Sequence, residues 1–344
     1  MWKQWGICRG YIDDMARVDE ELRVHGWMVH PTGPFGTIEL VVDGRSVASQ
    51  APGIREDVGQ VMSRTPRAHR SGFDFRFRPP APRGRIAIIG RRGLTVRGRM
   101  QSAYRVDLET AFPSPPAHLV TRVTASPNFK AFRMEGLRLV TEFTDAIRRH
   151  RREPVRRLLD WGCGCGRLSL HLVADHVAAE HFGCDIDAEA VAWCAENVGG
   201  TFSAIAPVPP TEFPAGFFDV VIGYSVFTHL TEVMQRQWLE ELRRITAPGG
   251  LVLVTVHGDF LGMFQFPRPN LRARLKAWRH GRLETVPGFL DLGPDPFLDG
   301  VAPPQYYRDV FQSRRYTKRE WSRYFDIVEY VEGGQDLVVM RRPR

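Results

Sequence analysis

Lysine is scarce in this 344-residue chain. It occurs only at Lys3, Lys130, Lys276 and Lys318, although Lys and Arg together number 47 against 39 Asp and Glu. The formal net charge of +8 is therefore carried by arginine. An arginine skew of this kind is what GC-rich coding produces, and it does not by itself mark a phosphate-binding face. A nucleic-acid partner is accordingly not expected from charge. Cysteine is sparse as well. The 5 copies are odd in number and show no framework spacing, which excludes a disulfide-stapled secreted scaffold and fits a reducing compartment. No uninterrupted apolar run approaches ~18 residues, the length a membrane-spanning helix needs. The opening MWKQWGICRGYIDDM lacks the basic-then-apolar pattern of a secretory signal. Internal repeats and extended low-complexity tracts are missing too. The expectation is a cytoplasmic globular protein, long enough for one large domain and a smaller one.

What is present divides into three stretches. Residues 1–104 read as short apolar runs between turn signals: RVHGWMV, GTIELVVDGRSVAS, GFDFRFRP, GRIAIIG and GLTVRGR. Asp43-Gly44 suits a two-residue hairpin turn, and the whole predicts a small all-β sandwich domain. Residues 105–154 form a linker and helical lead-in. Pro113, Pro115 and Pro116 should stop any regular element, after which Met134, Leu137, Val140 and Phe143 recur at helical spacing.

From 155 to 344 strands and helices alternate. VRRLLDW, HFGCD, FDVVIGY and LVLVTV read as strands; GRLSLHLVADH, DAEAVAWCAENV and EVMQRQWLEELRRI read as helices, the last two capped by Asp187 and Thr231. Thr317 and Glu320 stand at capping-box spacing in TKREWSRYF. DIVEYVE and DLVVMRR, separated by Gly333 and Gly334, predict an antiparallel hairpin at the end. The fold class is α/β: a doubly wound, Rossmann-like sheet of seven strands with a reversed last strand, preceded by the all-β domain.

The stretch LLDWGCGCGRLSLHL carries the strongest chemical signal. Asp160 ends the first strand, and Gly162, Gly164 and Gly166 carry the turn into a helix, where a ligand can approach the backbone closely. Adenosine cofactors bind at this point of open α/β sheets. A dinucleotide fingerprint would place glycine three residues past Gly164, where Arg167 stands instead. Asp185 ends the second strand, about twenty residues on, where a carboxylate can accept from both ribose hydroxyls. Cys163 and Cys165 lie two apart in a turn without a Cys-x-x-Cys or paired-histidine set, so no metal is expected. Cys184 and Cys194 read as buried packing.

LLDWGCGCGR, FGCDID and FDVVIGYSVFTHL, taken in order with the hairpin ending, resemble the successive motifs of class I S-adenosylmethionine-dependent methyltransferases. The resemblance covers roughly residues 120–344. It implies S-adenosylmethionine as cofactor, with the strand-one acid and glycine loop at its methionine end and the strand-two acid on its ribose. Carried over by position, the implied cofactor-binding set is Asp160, Gly162, Gly164, Gly166 and Asp185; Cys163 and Ile186 beside them are further candidates, and Tyr224 either flanks the sulfonium through its ring face or simply packs. The third strand lacks the acid that often touches adenine in this family, so adenine is assigned loosely to Phe202, Ser203 and Ala204.

Methyl transfer is a displacement at carbon, and an alcohol acceptor also needs a general base. Candidates follow the fourth and fifth strands: His229 in SVFTHL, and His257 with Asp259 in VTVHGD. Each histidine competes with a plain structural role at a strand or helix end. Residues 258–315 form a long Pro-rich, aromatic and basic insertion, suited to cover the acceptor site as a lid. Leu271, Leu275 and Trp278 are spaced as an amphipathic helix there, which equally suits a membrane surface or a docking partner. Tyr306, Tyr307 and Asp309 are candidates to line the lid, Tyr307 as a catalytic residue.

A narrower resemblance concerns the acceptor. GWMV, IREDV and SGFDF are similar to a β-sandwich module attached to bacterial glycosyltransferases and related methyltransferases; SVFTHL, YRDVFQS and QDLVVM resemble methyltransferases of glycan biosynthesis. That family often has His where Arg308 stands. The resemblance implies O-methylation of a saccharide or glycolipid precursor, with a glycosyltransferase or the inner membrane surface as partner. The alternatives are a natural-product small-molecule methyltransferase, an RNA methyltransferase, and a non-catalytic glycan-binding or scaffold protein. An RNA acceptor lacks support from any Asn-Pro-Pro-Tyr-like motif or aromatic-basic stripe.

Overall fold

In the computed structural model, residues 8–30, 32–63, 65–259, 261, 286, 288–303 and 305–344 are described. The chain forms two compact units, one running to Ser114 and including Asn128–Thr141, the other made of Pro115–Pro127 and Glu142–Arg344.

In the first unit, β1 (Arg9–Val18), β2 (Glu21–Val29), β5 (Gly53–Ile54) and β6 (Arg70–Phe77) make a sheet in the order β1-β2-β6-β5. A second sheet, β4-β3-β7-β8, joins β3 (Thr37–Val42), β4 (Arg45–Gln50), β7 (Arg83–Arg92) and β8 (Thr95–Arg105). All pairings in both are antiparallel. Alternate residues such as Val24, Phe75, Leu40 and Ile88 share one apolar core, as half-buried strands require. Asp43 and Gly44 turn β3 into β4 with φ of 46° and 83°, the two left-handed residues of a tight hairpin. A short helix α1 (Glu56–Val61) precedes β6.

The proline stretch does more than interrupt. Pro116, at φ −50° and ψ 141°, is the residue that caps helix α2 (Ala117–Thr124). Its missing N–H costs nothing at a helix start. The next helix, α3 (Phe129–His150), buries Leu137, Val140 and Phe143 while Met134 is partly buried.

The second unit is built on a seven-stranded sheet in the order β11-β10-β9-β12-β13-β17-β16. Its strands are β9 (Arg157–Trp161), β10 (Glu180–Asp185), β11 (Thr201–Ala204), β12 (Phe218–Gly223), β13 (Thr246–Val256), β16 (Asp326–Val331) and β17 (Asp336–Arg341). β9 to β13 pair in parallel, and β17 runs antiparallel to both its neighbours, β13 and β16. The helices of this unit are α4 (Ser169–Ala174), α5 (Ala188–Asn197), α6 (Glu232–Ile245) and α7 (Arg314–Trp321). Val220, Val221 and Ile222 are wholly buried, which explains the unbroken apolar run of a strand covered on both faces. Asp187 and Thr231 cap α5 and α6, accepting from the N–H groups of Ala190 and Met234.

The start of α7 differs from the reading by spacing. Ser313 caps it, accepting from the Tyr316 N–H at 3.1 Å. Thr317 lies inside the helix, fully buried, where its hydroxyl donates back to the Ser313 carbonyl and accepts from Gln312 Nε2. Burial next to Gln312 decided between two hydroxyl residues four apart. Within 258–315, β14 (Phe289–Pro294) and β15 (Arg308–Gln312) pair as an antiparallel ribbon. The expected amphipathic helix around Leu271, Leu275 and Trp278 lies outside the described residues.

Candidate active site

The glycine loop leaves β9 at Asp160 and folds back onto β10. The N–H groups of Gly162 and Cys163 both donate to the Cys184 carbonyl, at 2.8 and 3.1 Å. Gly162 and Gly164 hold φ of 76° and 50°, which L side chains avoid. Space forbids side chains there as well. A Cβ on Gly162 would stand 2.3 Å from Val226 Cγ2, and one on Gly164 2.7 Å from Val123 Cγ2. Gly166, at φ 80°, completes the turn but does not reach the cleft that the loop borders.

That cleft, about 160 Å³ in volume, lies at the carboxyl ends of the parallel strands. Its floor holds two acids. Asp185 Oδ2 accepts from the Gly164 N–H at 2.7 Å and Oδ1 from the Asp187 N–H at 2.9 Å, while burial pushes its carboxyl upward. Asp160 is 2% exposed and accepts from the Ser169 hydroxyl at 2.7 Å. Burial, with the charge of Asp185 adding to it, raises Asp160 to about 6. Ile186 and Ile205 offer apolar walls between the second and third strands. Carboxylate for a diol, open backbone for close approach, and apolar walls for a flat base together fit an adenosine cofactor. Ser203 is not among the residues that line the cleft. It pairs with Cys184 inside the sheet, and Ile205, just beyond the strand, is the residue that meets the cleft.

One wall comes from a segment that reads as linker. Arg122 and Val123 of α2 face the cleft, and α2 is tied to the start of α5: Arg122 Nη1 donates to Asp187 Oδ2 at 3.0 Å and to Glu189 Oε2 at 2.7 Å, and His118 contacts Glu189 at 2.8 Å. Apolar Leu119, Val120 and Val123 at helical spacing after Pro116 are the signal that would have marked it.

The opposite chemistry lies at the end of β12. Tyr224, Ser225, His229, and Leu298, Tyr306 and Tyr307 from the insertion line the cleft together. His229 Nδ1 stands 2.7 Å from the Arg308 carbonyl oxygen. A carbonyl only accepts, so Nδ1 carries the proton and Nε2 the lone pair. The Tyr307 hydroxyl donates to that lone pair at 2.7 Å, and Ser225 Oγ lies 3.4 Å away. Burial lowers His229 to about 4, so it is neutral near pH 7; burial also pushes Tyr307 up, keeping it a neutral donor. Ser225 itself sits at φ 62°, fixed by its N–H to Thr255 Oγ1 at 2.8 Å and by Gln335 Nε2 donating to its Oγ at 2.8 Å. Such strain persists where surrounding bonds over-determine it. Sequence patterns do not mark Ser225 or Gln335, because 110 residues separate them.

The second candidate base is placed elsewhere. His257 lies 6.2 Å from His229, ring to ring, but off the cleft wall, with Nδ1 3.1 Å from Asp309 Oδ1. Asp259 accepts from the Val286 and Arg314 N–H groups, each at 3.1 Å, and so anchors the insertion's two ends. All five cysteines are free and buried, and no cluster that could hold a metal occurs among the described residues.

A Rossmann-like sheet with an acid-and-glycine cleft defines the class of the second unit. Residues 158–250 match a family model described as a methyltransferase domain. The matched segment, from β9 through the start of β13, holds the glycine loop and both floor acids. A tRNA (carboxymethyluridine(34)-5-O)-methyltransferase of Arabidopsis thaliana is 32% identical over 100 residues, which is 29% of this chain and 23% of that protein. Less than a quarter of that relative's length is therefore spanned. Among solved structures, a methyltransferase of Methanosarcina mazei is similar at 16% identity and TM-score 0.41, covering 58% of this chain and 97% of that one. Another, from Mesorhizobium loti, is 17% identical with TM-score 0.42, covering 58% and 96%.

Proposed function

We propose that the protein transfers a methyl group from S-adenosylmethionine to a hydroxyl oxygen of a saccharide, as in a glycan or glycolipid precursor. The observation that carries the oxygen acceptor is His229: neutral, fixed in one tautomer by the Arg308 carbonyl, with its lone pair on the cleft. Asp160, Asp185 and the Gly162–Gly164 backbone hold the cofactor, which supplies an electrophilic methyl group. His229 Nε2 takes the proton as the acceptor oxygen becomes methylated, and Ser225 Oγ offers that oxygen a further hydrogen bond. The saccharide rests on the likeness of GWMV, IREDV, SGFDF, YRDVFQS and QDLVVM to glycan-associated proteins. A cytoplasmic site beside a glycosyltransferase or the inner membrane face belongs to the same reading.

A second reading is an RNA acceptor, favoured by the relative whose name specifies transfer to a 5-O position of tRNA. The test is methyl transfer from labelled S-adenosylmethionine to nucleotide sugars, glycolipids and tRNA, at low and high salt. Labelled saccharide that disappears with His229→Gln supports the first reading. Labelled tRNA with steeply salt-dependent activity supports the second.

A further inference from the structure

The described part of the cleft contains one guanidinium that forms no salt bridge with a described residue. Arg167 directly follows the glycine loop and lines the cleft, yet its Nε is buried without a hydrogen-bond partner and the side chain makes no ion pair among the described residues. Arg122, on the same cleft, is by contrast paired with Asp187 and Glu189. A partly buried, unpaired guanidinium is unfavourable on its own. The guanidinium carbon lies 4.8 Å from the centre of the Tyr224 ring, and a guanidinium carries paired N–H groups along its edges. Such an edge matches the two oxygens of a carboxylate. The neighbouring Asp160 feels the Arg167 charge but accepts from Ser169 and forms no salt bridge with the guanidinium.

We infer that Arg167 recognises a carboxylate, and that the carboxylate belongs to the acceptor. The inference rests on the saccharide reading and narrows it to acidic sugars. Tyr224 stands beside Ser225, at the end of β12 where His229 and Tyr307 converge. A sulfonium bound in the same cleft adds a second positive charge, so an anionic acceptor offsets both.

The probes are glucuronate, glucose and acetate, titrated by NMR into protein loaded with S-adenosylhomocysteine, using wild type, Arg167→Gln and Arg167→Lys. Calorimetry with S-adenosylhomocysteine and its decarboxylated analogue accompanies them. Wild type should bind glucuronate about tenfold more tightly than glucose; Arg167→Gln should lose the preference and Arg167→Lys should not restore it. Removing an unpaired cation should leave the melting temperature unchanged or higher, whereas a variant that melts well below wild type overturns the inference in favour of a structural role. Equal binding of the two sugars to wild type overturns it, as does a preference that survives Arg167→Gln. Weakened S-adenosylhomocysteine with an unaffected decarboxylated analogue moves the carboxylate to the cofactor and overturns the acceptor assignment. Arg167-dependent binding of acetate with neither sugar bound sustains the carboxylate and removes the saccharide.

Discussion

The rings of His229 and Tyr307 lie stacked, 3.8 Å between centroids and 19° apart, with the Tyr307 hydroxyl on the histidine's Nε2. The tyrosine thus occupies the lone pair that an acceptor hydroxyl would need, and one must displace the other. Tyr307→Phe removes a hydrogen bond to the neutral ring, so the His229 pKa should rise from about 4 toward the ordinary 6.5. NMR titration of the His229 ring checks this; an unmoved pKa would show that burial alone sets it.

The same histidine links to stability, with a definite sign. Its folded pKa of about 4 lies below the unfolded 6.5, so the unfolded chain binds the proton more readily. Stability is then complete above pH 6.5 and is lost as pH falls toward 4, by at most about 3 kcal/mol. His229→Gln should lack that acid-side loss, as urea unfolding at pH 7.5 and pH 4.5 would reveal. Turnover should fall by about 10²–10⁴ in the same variant if His229 is the base.

Asp160 runs the other way. Raised to about 6 by burial, it binds its proton more readily when folded, and the cost of ionising it is felt as pH rises through 6. Asp160→Asn should therefore stabilise the protein at pH 8 by up to about 3 kcal/mol and hardly at all at pH 4. Affinity for S-adenosylmethionine should fall in the same variant. A variant that destabilises at pH 8 would contradict the buried-charge account.

Asp185→Ala removes a carboxylate held by the Gly164 and Asp187 N–H groups. Binding of S-adenosylhomocysteine should weaken by about 1.5–3 kcal/mol, or roughly 10- to 150-fold, by calorimetry. An unchanged affinity would mean that the ribose does not lie there.

Gly164→Ala combines strain at φ 50° with a contact 2.7 Å from Val123. A cost of about 1–2 kcal/mol is expected from the dihedral alone, with more from the contact. Val123→Ala should relieve only the second part, so the double mutant should be more stable than the sum of the two changes. Simple additivity in chemical unfolding would indicate that α2 does not cover the loop.

Much of the fold is legible in short stretches, because the physics there is local. Asp43-Gly44 meets the handedness of a two-residue turn, Asp187 and Thr231 cap the helices that follow them, and Val220–Ile222 announces a strand buried on both faces. Asp160, Gly162, Gly164 and Asp185 were readable for the same reason, since the loop's conformation and the strand-end acids belong to consecutive elements. Thr317 was misread because two hydroxyls stood at capping distance and only tertiary burial separated them.

By itself, then, the order of residues determined the alternating sheet, the glycine turn and the acids that flank it. Tertiary structure decided the chemistry at the other side of the cleft. The Arg308 carbonyl that sets the tautomer of His229 lies 79 residues away, and the Gln335 amide on Ser225 lies 110 away. It also turned an apparent linker into a wall, by bringing Arg122 against Asp187. Periodicity and turn chemistry act over a few residues, whereas a proton's location depends on which distant carbonyl or hydroxyl the packing brings within hydrogen-bond reach.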